Sequence, residues 1–411
     1  GTTEYSYDRI GQIKTIKNPQ NEVITYTRDA LARVTKIERP KETVEYNYGP
    51  FGVTSVEITT GSTKKEFNYE YDNRGNIIEI SDEFNRTIQF SYNNIGQQTK
   101  VIDPLGRENS WTYDAVGNEK TWTDANGNVT EYIYNNIGEL VEVKHPNGTS
   151  TKYKYDSEQR LTERTLPDGA KESFTYDAAG YLTSETNGAG ETTSYEYDNQ
   201  GRLIKVTDAA RGVTQYTYDN AGRLLKITNA QGKETTFSYD SLNRVTKQVD
   251  PIGRATELQY DKFHRVTKMT EGELTHSWTY DENNNDVTYT RPDGEETRYE
   301  FNDDNLLTKV VDPSGNVTTY EYDSRDRLMT VTNPLGQKVT MEYNNLDQLI
   351  KETDVNGYHV SYKYDSLGRL SSQTNQLGLT THFNYDKYDR IIEINDYRGA
   401  TTSFTYDVMG R

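Results

Sequence analysis

Residues 195–228, YEYDNQGRLIKVTDAARGVTQYTYDNAGRLLKIT, state one phrase twice. Tyr197-Asp198 and Gly201-Arg202-Leu203 come back one period later as Tyr218-Asp219 and Gly222-Arg223-Leu224. Self-similarity at a fixed period marks a repeat architecture, in which neighbours complete each other's core. Outward from this stretch, the Asp or Asn of the pair recurs in steps of 21 from Asp72 to Asp261. It takes one step of 20 to Asp281 and continues in steps of 21 to Asp407. Upstream the pattern frays through Asp8, Asp29 and Gly49. The whole of 1–411 reads as a single array of about 20 repeats, irregular at about 38–71, with no separate catalytic domain. It opens and closes in mid-phrase, at Tyr5-Ser6-Tyr7-Asp8 and Tyr406-Asp407-Val408-Met409-Gly410-Arg411, so it is expected to be a piece of a longer protein.

Each repeat carries two turn signals. Asp114-Ala115-Val116-Gly117 is followed by Asp124-Ala125-Asn126-Gly127 and then Asn135-Asn136-Ile137-Gly138, at alternating spacings of 10 and 11. Asx first and Gly fourth suit a type I turn, in which the Asx side chain bonds nearby backbone and Gly takes a positive φ. Some second turns add Pro, as in Asp103-Pro104-Leu105-Gly106 and Asp250-Pro251-Ile252-Gly253, which presets the φ the turn needs. A left-handed glycine after such a turn closes a hairpin through a bulge. Segments such as 118–123 and 128–134 remain between turns, β-branched and Tyr-rich, of strand length and too short for helices. The fold class is all-β: tandem antiparallel β-hairpins of about 21 residues in a continuous meander of about 40 strands.

Composition limits what such a meander can bury. Only 32% of the 411 residues are hydrophobic, and mean hydropathy is −0.96. Against disorder stand 34 Tyr, 10 Pro and the strict period. Tyr216 and Tyr218 share a face with Thr214, while Leu203, Lys205 and Thr207 alternate against Arg202, Ile204 and Val206. Neither face is expected to be greasy enough to carry a second sheet. The reading is a single layer held by laddered Tyr, Leu and Arg, with cross-strand pairs of roughly 0.2–1 kcal/mol and Arg over Tyr adding about 0.5–1 kcal/mol. Forty strands at about 4.8 Å make roughly 190 Å of ribbon, and open sheets rarely exceed about ten strands without curling. The ribbon is therefore expected to wind into a hollow shell or shell segment, and one closure would give a ring roughly 60 Å across.

A net charge of −18 with no Lys/Arg run disfavours nucleic acid and anionic membranes as partners. No apolar run approaches membrane-spanning length, so no membrane insertion by this segment is expected. Absence of Cys removes disulfides, thiolate metal sites and Cys nucleophiles.

The phrase Tyr-x-Tyr-Asp-x-x-Gly-Arg-Leu, as it stands at 195–203, 216–224 and 362–370 with Asp-Pro-x-Gly turns elsewhere, resembles the Rhs/YD-repeat family. That family spans bacterial Rhs toxins, shell components of Tc toxins, wall-associated polymorphic toxins and teneurins. The resemblance covers nearly the whole chain. It implies a non-enzymatic scaffold, a segment of a shell of spiralled hairpins that encapsulates a toxin or effector domain for delivery. The partners it implies are that domain, absent from this chain, and further repeats of the same shell. The setting it implies is bacterial, secreted or at the cell surface, wall-associated or delivered by a secretion system. The residues expected to carry the motif are Tyr113, Asp114 and Gly117; Tyr197, Asp198, Gly201 and Arg202; Tyr218, Asp219, Gly222 and Arg223; and Tyr364, Asp365, Gly368 and Arg369. Asp312-Pro313 and Asn333-Pro334 look like the paired Asp-Pro motifs that the family associates with self-cleavage. They lie one repeat apart, the second has Asn for Asp, and both read as ordinary turns.

No cofactor or metal site is expected. His145, His264, His276, His359 and His382 are scattered without ligand spacing, and the recurrent Asp follow recurrent turns. Asp281-Glu282-Asn283-Asn284-Asn285-Asp286 is rich in the oxygens Ca²⁺ favours, but lacks EF-hand spacing and reads as a solvated turn. Aromatic rows can stack sugars, so the alternative is an adhesin-like rod binding surface glycans or a partner protein through its Tyr-rich face. The irregular stretch 38–71 is the best candidate for a bend or docking feature.

Overall fold

The computed structural model describes the chain except for Gly1, Pro19, Gln20, Ser62, residues 282–285, Val408 and Met409. Among the described residues the regular elements are 39 β-strands, from β1 (Glu4–Tyr7) to β39 (Thr401–Ser403). They fall into two compact units, one of 1–128, 299–310 and 316–405, the other of 129–298, 311–315 and 406–411. In the first unit, consecutive strands pair antiparallel from β1 to β12 (Glu119–Thr123). They do so again from β31 (Val317–Tyr322) to β39. In the second unit they pair from β13 (Val129–Tyr134) to β28 (Val287–Thr290). This is the hairpin meander that the turn spacing predicts.

Register decides which way each side chain faces, because cross-strand partners lie on one face. In the hairpin of β21 (Val213–Tyr218) and β22 (Leu224–Thr228), Tyr216 faces Ile227 and Thr217 faces Lys226. The register then shifts, so that Tyr218 faces Leu224 and Leu225 is the extra residue. The same bulge sets Tyr197 opposite Leu203, with Tyr195 opposite Val206. A bulge re-aims the side chain beside it. Leu203 thus joins the tyrosine face, where plain alternation had grouped it with Lys205 and Thr207.

The two faces come out unlike, yet neither carries a second layer, as the composition leads one to expect. One carries the aromatic row against aliphatic partners, as in Tyr132 with Val143 and Tyr320 with Val331. The other carries charge and hydroxyl pairs: Lys205 Nζ to Glu196 Oε1 at 2.7 Å, Lys154 to Glu163 at 2.9 Å, and Thr112 Oγ1 to Thr121 Oγ1 at 2.5 Å. Even so, the apolar face stays thin. Val44, 6% exposed, is the one buried hydrophobic among the described residues. The accessible surface is 25,064 Å², against about 16,000 Å² for a compact globular chain of this mass. Stability therefore comes from neighbour-to-neighbour bonding along the meander more than from a central core.

The irregular stretch folds as long strands, β5 (Glu42–Tyr48), β6 (Val53–Thr60) and β7 (Thr63–Tyr71), the last two the longest among the described residues. Val44 lies in β5, and β7 begins the contacts with later repeats described below.

Candidate functional site

The repeated phrase builds one turn, and each of its residues has a distinct task. At Asp219, the backbone N–H donates to Arg223 O at 2.9 Å, and Gly222 N–H donates to Asp219 O at 3.0 Å. Asp219 Oδ1 accepts the Ala221 and Arg223 amides, both at 2.9 Å, and Oδ2 accepts Arg223 Nε at 2.7 Å. Gly222 takes φ +83°, a left-handed conformation that costs other residues roughly 1–2 kcal/mol. The Arg223 amide and guanidinium hold the Asp219 carboxyl below its ordinary range, and for Asp198 the Arg202 amide and guanidinium do the same. At Asp365 burial pushes the other way, but the bonds from Arg369 prevail and the carboxyl is again lowered.

The same residues also fasten each repeat to the next. The ladder between β20 (Leu203–Thr207) and β21 stops at Lys205 opposite Gln215, short of Leu203. Tyr218 OH donates to Leu203 O there, at 2.8 Å. Tyr113 does this to Gln98 O at 2.6 Å, and Tyr364 to Leu349 O at 2.8 Å. In the other direction Arg202 Nη1 donates to Asp219 O at 3.0 Å, and its guanidinium lies 5.0 Å from the centre of the Tyr218 ring. Arg223 repeats this on Asp240 and Tyr239, and Arg369 on Asp386 and Tyr385. Asn118 stands where Arg would be beside Asp114 and bonds only within its turn, Nδ2 to Asp114 Oδ2 at 3.0 Å. Gln97, at the Arg position one repeat earlier, donates to Gly117 O at 2.9 Å. Tyr197 departs from the pattern: Tyr181 replaces the Arg before it, and the two rings stack at 5.0 Å.

Three comparisons with known proteins bear on this turn. The model described as RHS Repeat matches in eight overlapping stretches over 176–276 and 301–396, and the model described as Teneurin YD-shell matches 79–186. The chain belongs to the Rhs/YD-repeat family. No curated protein matches it. Among solved structures it is similar to TcdB2-TccC3-TEV, at TM-score 0.68 and 15% identity, and to TcdB2-TccC3-Cdc42, at 0.67 and 15%. Each alignment covers 100% of this chain and 26% of the other. The Photorhabdus luminescens Tc holotoxin pore matches at TM-score 0.51 and 15% identity, over 96% of this chain and 22% of that one. At such identities the likeness is one of fold, and this Rhs/YD chain spans about a quarter of the length of those it matches.

The YD turns have a second set of partners, far away in sequence but inside the first unit. Lys65 Nζ bonds Asp326 Oδ2 at 2.5 Å, Arg86 bonds Asp347, and Arg107 Nη1 donates to Leu367 O at 3.3 Å. Asn126 Nδ2 reaches Asp389 Oδ2 at 3.1 Å, and Asn128 Nδ2, in a residue only 6% exposed, donates to Lys387 O at 2.6 Å. These five bonds join residues 259–263 apart in sequence. Both rows advance by one repeat per contact, so they form a seam in step. On one side lie the start of β7 and the second turns of the early repeats that follow it, on the other the YD turns of late ones. Thr63 Oγ1 extends the seam to Asp304 Oδ2 at 2.7 Å, and Arg325 lies 3.9 Å from the centre of the Phe84 ring. Early and late repeats of the first unit thus meet edge to edge, through their turns.

Along this seam the left-handed turn position reads as a code. Asp326, Asp347 and Asp389 hold it at φ 63°, where most YD turns have Gly, and each carboxylate meets a cation or an amide across the seam. Asp347 Oδ1 also accepts Arg325 at 3.2 Å and Arg327 at 2.9 Å. The bond to Asp326 holds the Lys65 ammonium above its usual range. At Gly368 the partner is instead apolar, and an added Cβ would stand 3.0 Å from Leu105 Cδ1.

The remaining sequence candidates are plain turns or isolated groups. Gly315 N–H donates to Asp312 O, and Gly336 N–H to Asn333 O, each at 2.9 Å. His145 pairs with Thr151 at 2.9 Å, and His276 with Tyr289 OH at 2.6 Å. Among the described residues no group of His, Asp and Glu is placed to hold a metal. Asp281 N–H donates to Asp286 O at 2.8 Å, and the loop between them, 282–285, lies outside the described residues.

Proposed function

We propose that this chain is a wall segment of a bacterial Rhs/YD shell that encapsulates a toxin or effector domain for delivery, in a secreted or surface-delivered protein. The observation that carries this reading is the seam. Bonds within a hairpin ladder only lengthen a ribbon, whereas bonds between turns so distant in sequence lay one course of ribbon on another and make a wall. The family membership supports it, as does the Tc toxin fold likeness. Partners under this reading are the enclosed domain and further repeats of the same shell. The segment itself performs no chemistry: its Asp and Arg side chains are consumed in turn closure and in bonds to the next repeat. The glycan-binding rod loses its main support, since rings such as Tyr218, Tyr239 and Tyr385 lie under guanidinium groups and their hydroxyls serve the backbone.

Fusing a small protease-sensitive reporter domain behind Arg411 tests the proposal. The reporter should be cleaved at least ten-fold more slowly than on an unstructured linker, and breaking the seam with Lys65→Ala and Arg86→Ala should restore cleavage. Equal cleavage rates in the two settings would refute enclosure.

A further inference from the structure

Two YD turns of this chain differ by a single residue. Asn93-Asn94-Ile95-Gly96-Gln97 and Asn135-Asn136-Ile137-Gly138-Glu139 are otherwise identical, with an amide in one where the other has a carboxylate. Both close alike: Asn93 Nδ2 donates to Gln97 Oε1 at 2.9 Å, and Asn135 Nδ2 to Glu139 Oε2 at 2.6 Å. The difference lies at the second atom of each group. Gln97 Nε2 donates to Gly117 O, on the left-handed residue of the next YD turn, at 2.9 Å, and Gln348 Nε2 does the same to Gly368 O at 3.2 Å. Glu139 Oε1 brings no proton to the equivalent acceptor on Gln159. It is the one buried side-chain nitrogen or oxygen without a hydrogen-bond partner among the described residues.

The junctions that follow in the second unit are tied across. Arg160, Arg202, Arg223 and Arg244 each donate Nη1 to a carbonyl of the next YD turn at 3.0–3.2 Å. Each guanidinium lies 4.6–5.1 Å from the centre of the tyrosine ring beside that turn. Tyr181 stacks on Tyr197, and Arg265 lies 4.1 Å from the centre of the Tyr280 ring. At Glu139 the sign of the charge is opposite. Burial first, and then the charges of Tyr153 and Glu139, push the Tyr155 phenol up, so negative charge bears on the ring that a guanidinium covers elsewhere. The ladder between β14 (Leu140–Lys144) and β15 (Ser150–Tyr155) stops at Glu142 opposite Lys152. Beyond it, the Tyr155 hydroxyl holds the edge by donating to Leu140 O at 2.9 Å.

We propose that Glu139 makes the junction between the Asn135 and Asp156 turns a weak joint, at which this edge of the second unit opens while the repeats that follow stay folded. A buried acceptor without a donor penalises the closed state, and opening returns the Glu139 carboxylate to water. Opening of this kind is local and needs no global unfolding. The inference rests on the geometry of the junction and not on the enclosure reading, so the exchange measurement below and the reporter assay can fail separately.

Native-state hydrogen exchange read by mass spectrometry, corrected for intrinsic rates, provides the test. In the unmodified chain, peptides covering 140–155 should exchange at least about five-fold faster than peptides covering 203–218, which span the junction tied by Arg202. Glu139→Gln gives the turn the donor that Gln97 has. It should slow exchange over 140–155 at least about three-fold and leave 203–218 within about two-fold. Gln348→Glu makes the opposite change in the first unit, where Asn344 Nδ2 already bonds Gln348 Oε1 at 2.8 Å. It should speed exchange over 349–364 at least about three-fold. Equal exchange over 140–155 and 203–218 in the unmodified chain would overturn the proposal, as would a Glu139→Gln chain that exchanges like the unmodified one. Gln348→Glu without effect on 349–364 would overturn it too, since the same replacement of amide by carboxylate would then loosen nothing.

Discussion

Removing one hydroxyl should loosen one junction between repeats and leave others alone. In Tyr218→Phe the ring remains under Arg202, but Leu203 O loses its donor at 2.8 Å. A neutral hydrogen bond contributes about 0.5–1.5 kcal/mol net, and a stranded buried acceptor costs about 1–3 kcal/mol. Leu203 is half-buried, so water recovers part of the loss and about 1 kcal/mol is expected. That corresponds to roughly five-fold faster amide exchange wherever opening of this junction limits exchange. The assay is native-state hydrogen exchange read by mass spectrometry on peptides covering 203–224, with peptides near 328–343 as internal reference. Tyr197→Phe is the control, because Tyr197 stacks on Tyr181 instead of standing beneath an Arg, and its hydroxyl makes no comparable bond to the preceding repeat. Its exchange should change by less than about two-fold. Equal effects of the two substitutions, or none from Tyr218→Phe, would refute the fastener role of the hydroxyl.

Gly222→Val should destabilise by about 1–2 kcal/mol through the backbone alone, since nothing lies within 4 Å of the added Cβ; urea titration reads the loss, and an unchanged midpoint would count against the left-handed turn. Carboxyls such as Asp198, Asp219, Asp240 and Asp365 have folded pKa values below the ordinary one, so the native state binds fewer protons than the unfolded chain as pH falls. Their stabilisation is complete above about pH 5 and disappears as pH drops through about 4 and below. The melting temperature by circular dichroism should therefore be flat from neutral pH to about 5 and fall steeply beneath about 4, and a value held constant to about pH 3 would contradict the turn electrostatics. Asp347→Ala removes the shared partner of Arg325, Arg327 and Arg86, so exchange should accelerate in peptides around 82–86 and 344–347 together; a change confined to 344–347 would deny the seam at that point.

Strand positions were legible because turns of the Asx-x-x-Gly kind, some with another residue at the first or last place, recur twice in most repeats and leave little freedom in between. Facing was legible for the YD-side strands such as β21, where alternation holds up to Tyr218. It was not legible for Leu203 or Leu224, because the bulge that turns them toward tyrosine arises from how the turn closes and not from side-chain periodicity. The seam was hidden for a different reason. Bonds between turns 259–263 residues apart lie far outside any local window of sequence. One partial signal was present in the sequence: a carboxylate recurs at the left-handed position of the YD turns only in the late repeats, as Asp326, Asp347 and Asp389, whereas Ala32, Gln159, Asn243, His264 and Asn305 are the other non-glycine residues that hold it among the described residues.

The seam is the central claim, and a zero-length carbodiimide cross-link tests it on the unmodified chain. Lys65 and Asp326, bonded at 2.5 Å, should couple and appear in the monomer band as one linked peptide pair. Hairpin pairs such as Lys205 with Glu196 at 2.7 Å and Lys226 with Glu234 at 2.8 Å serve as positive controls. Recovery of the Lys65–Asp326 link alongside these controls is the predicted result. Abundant hairpin links with none joining Lys65 to the late YD turns would contradict the account, leaving a ribbon that never meets itself.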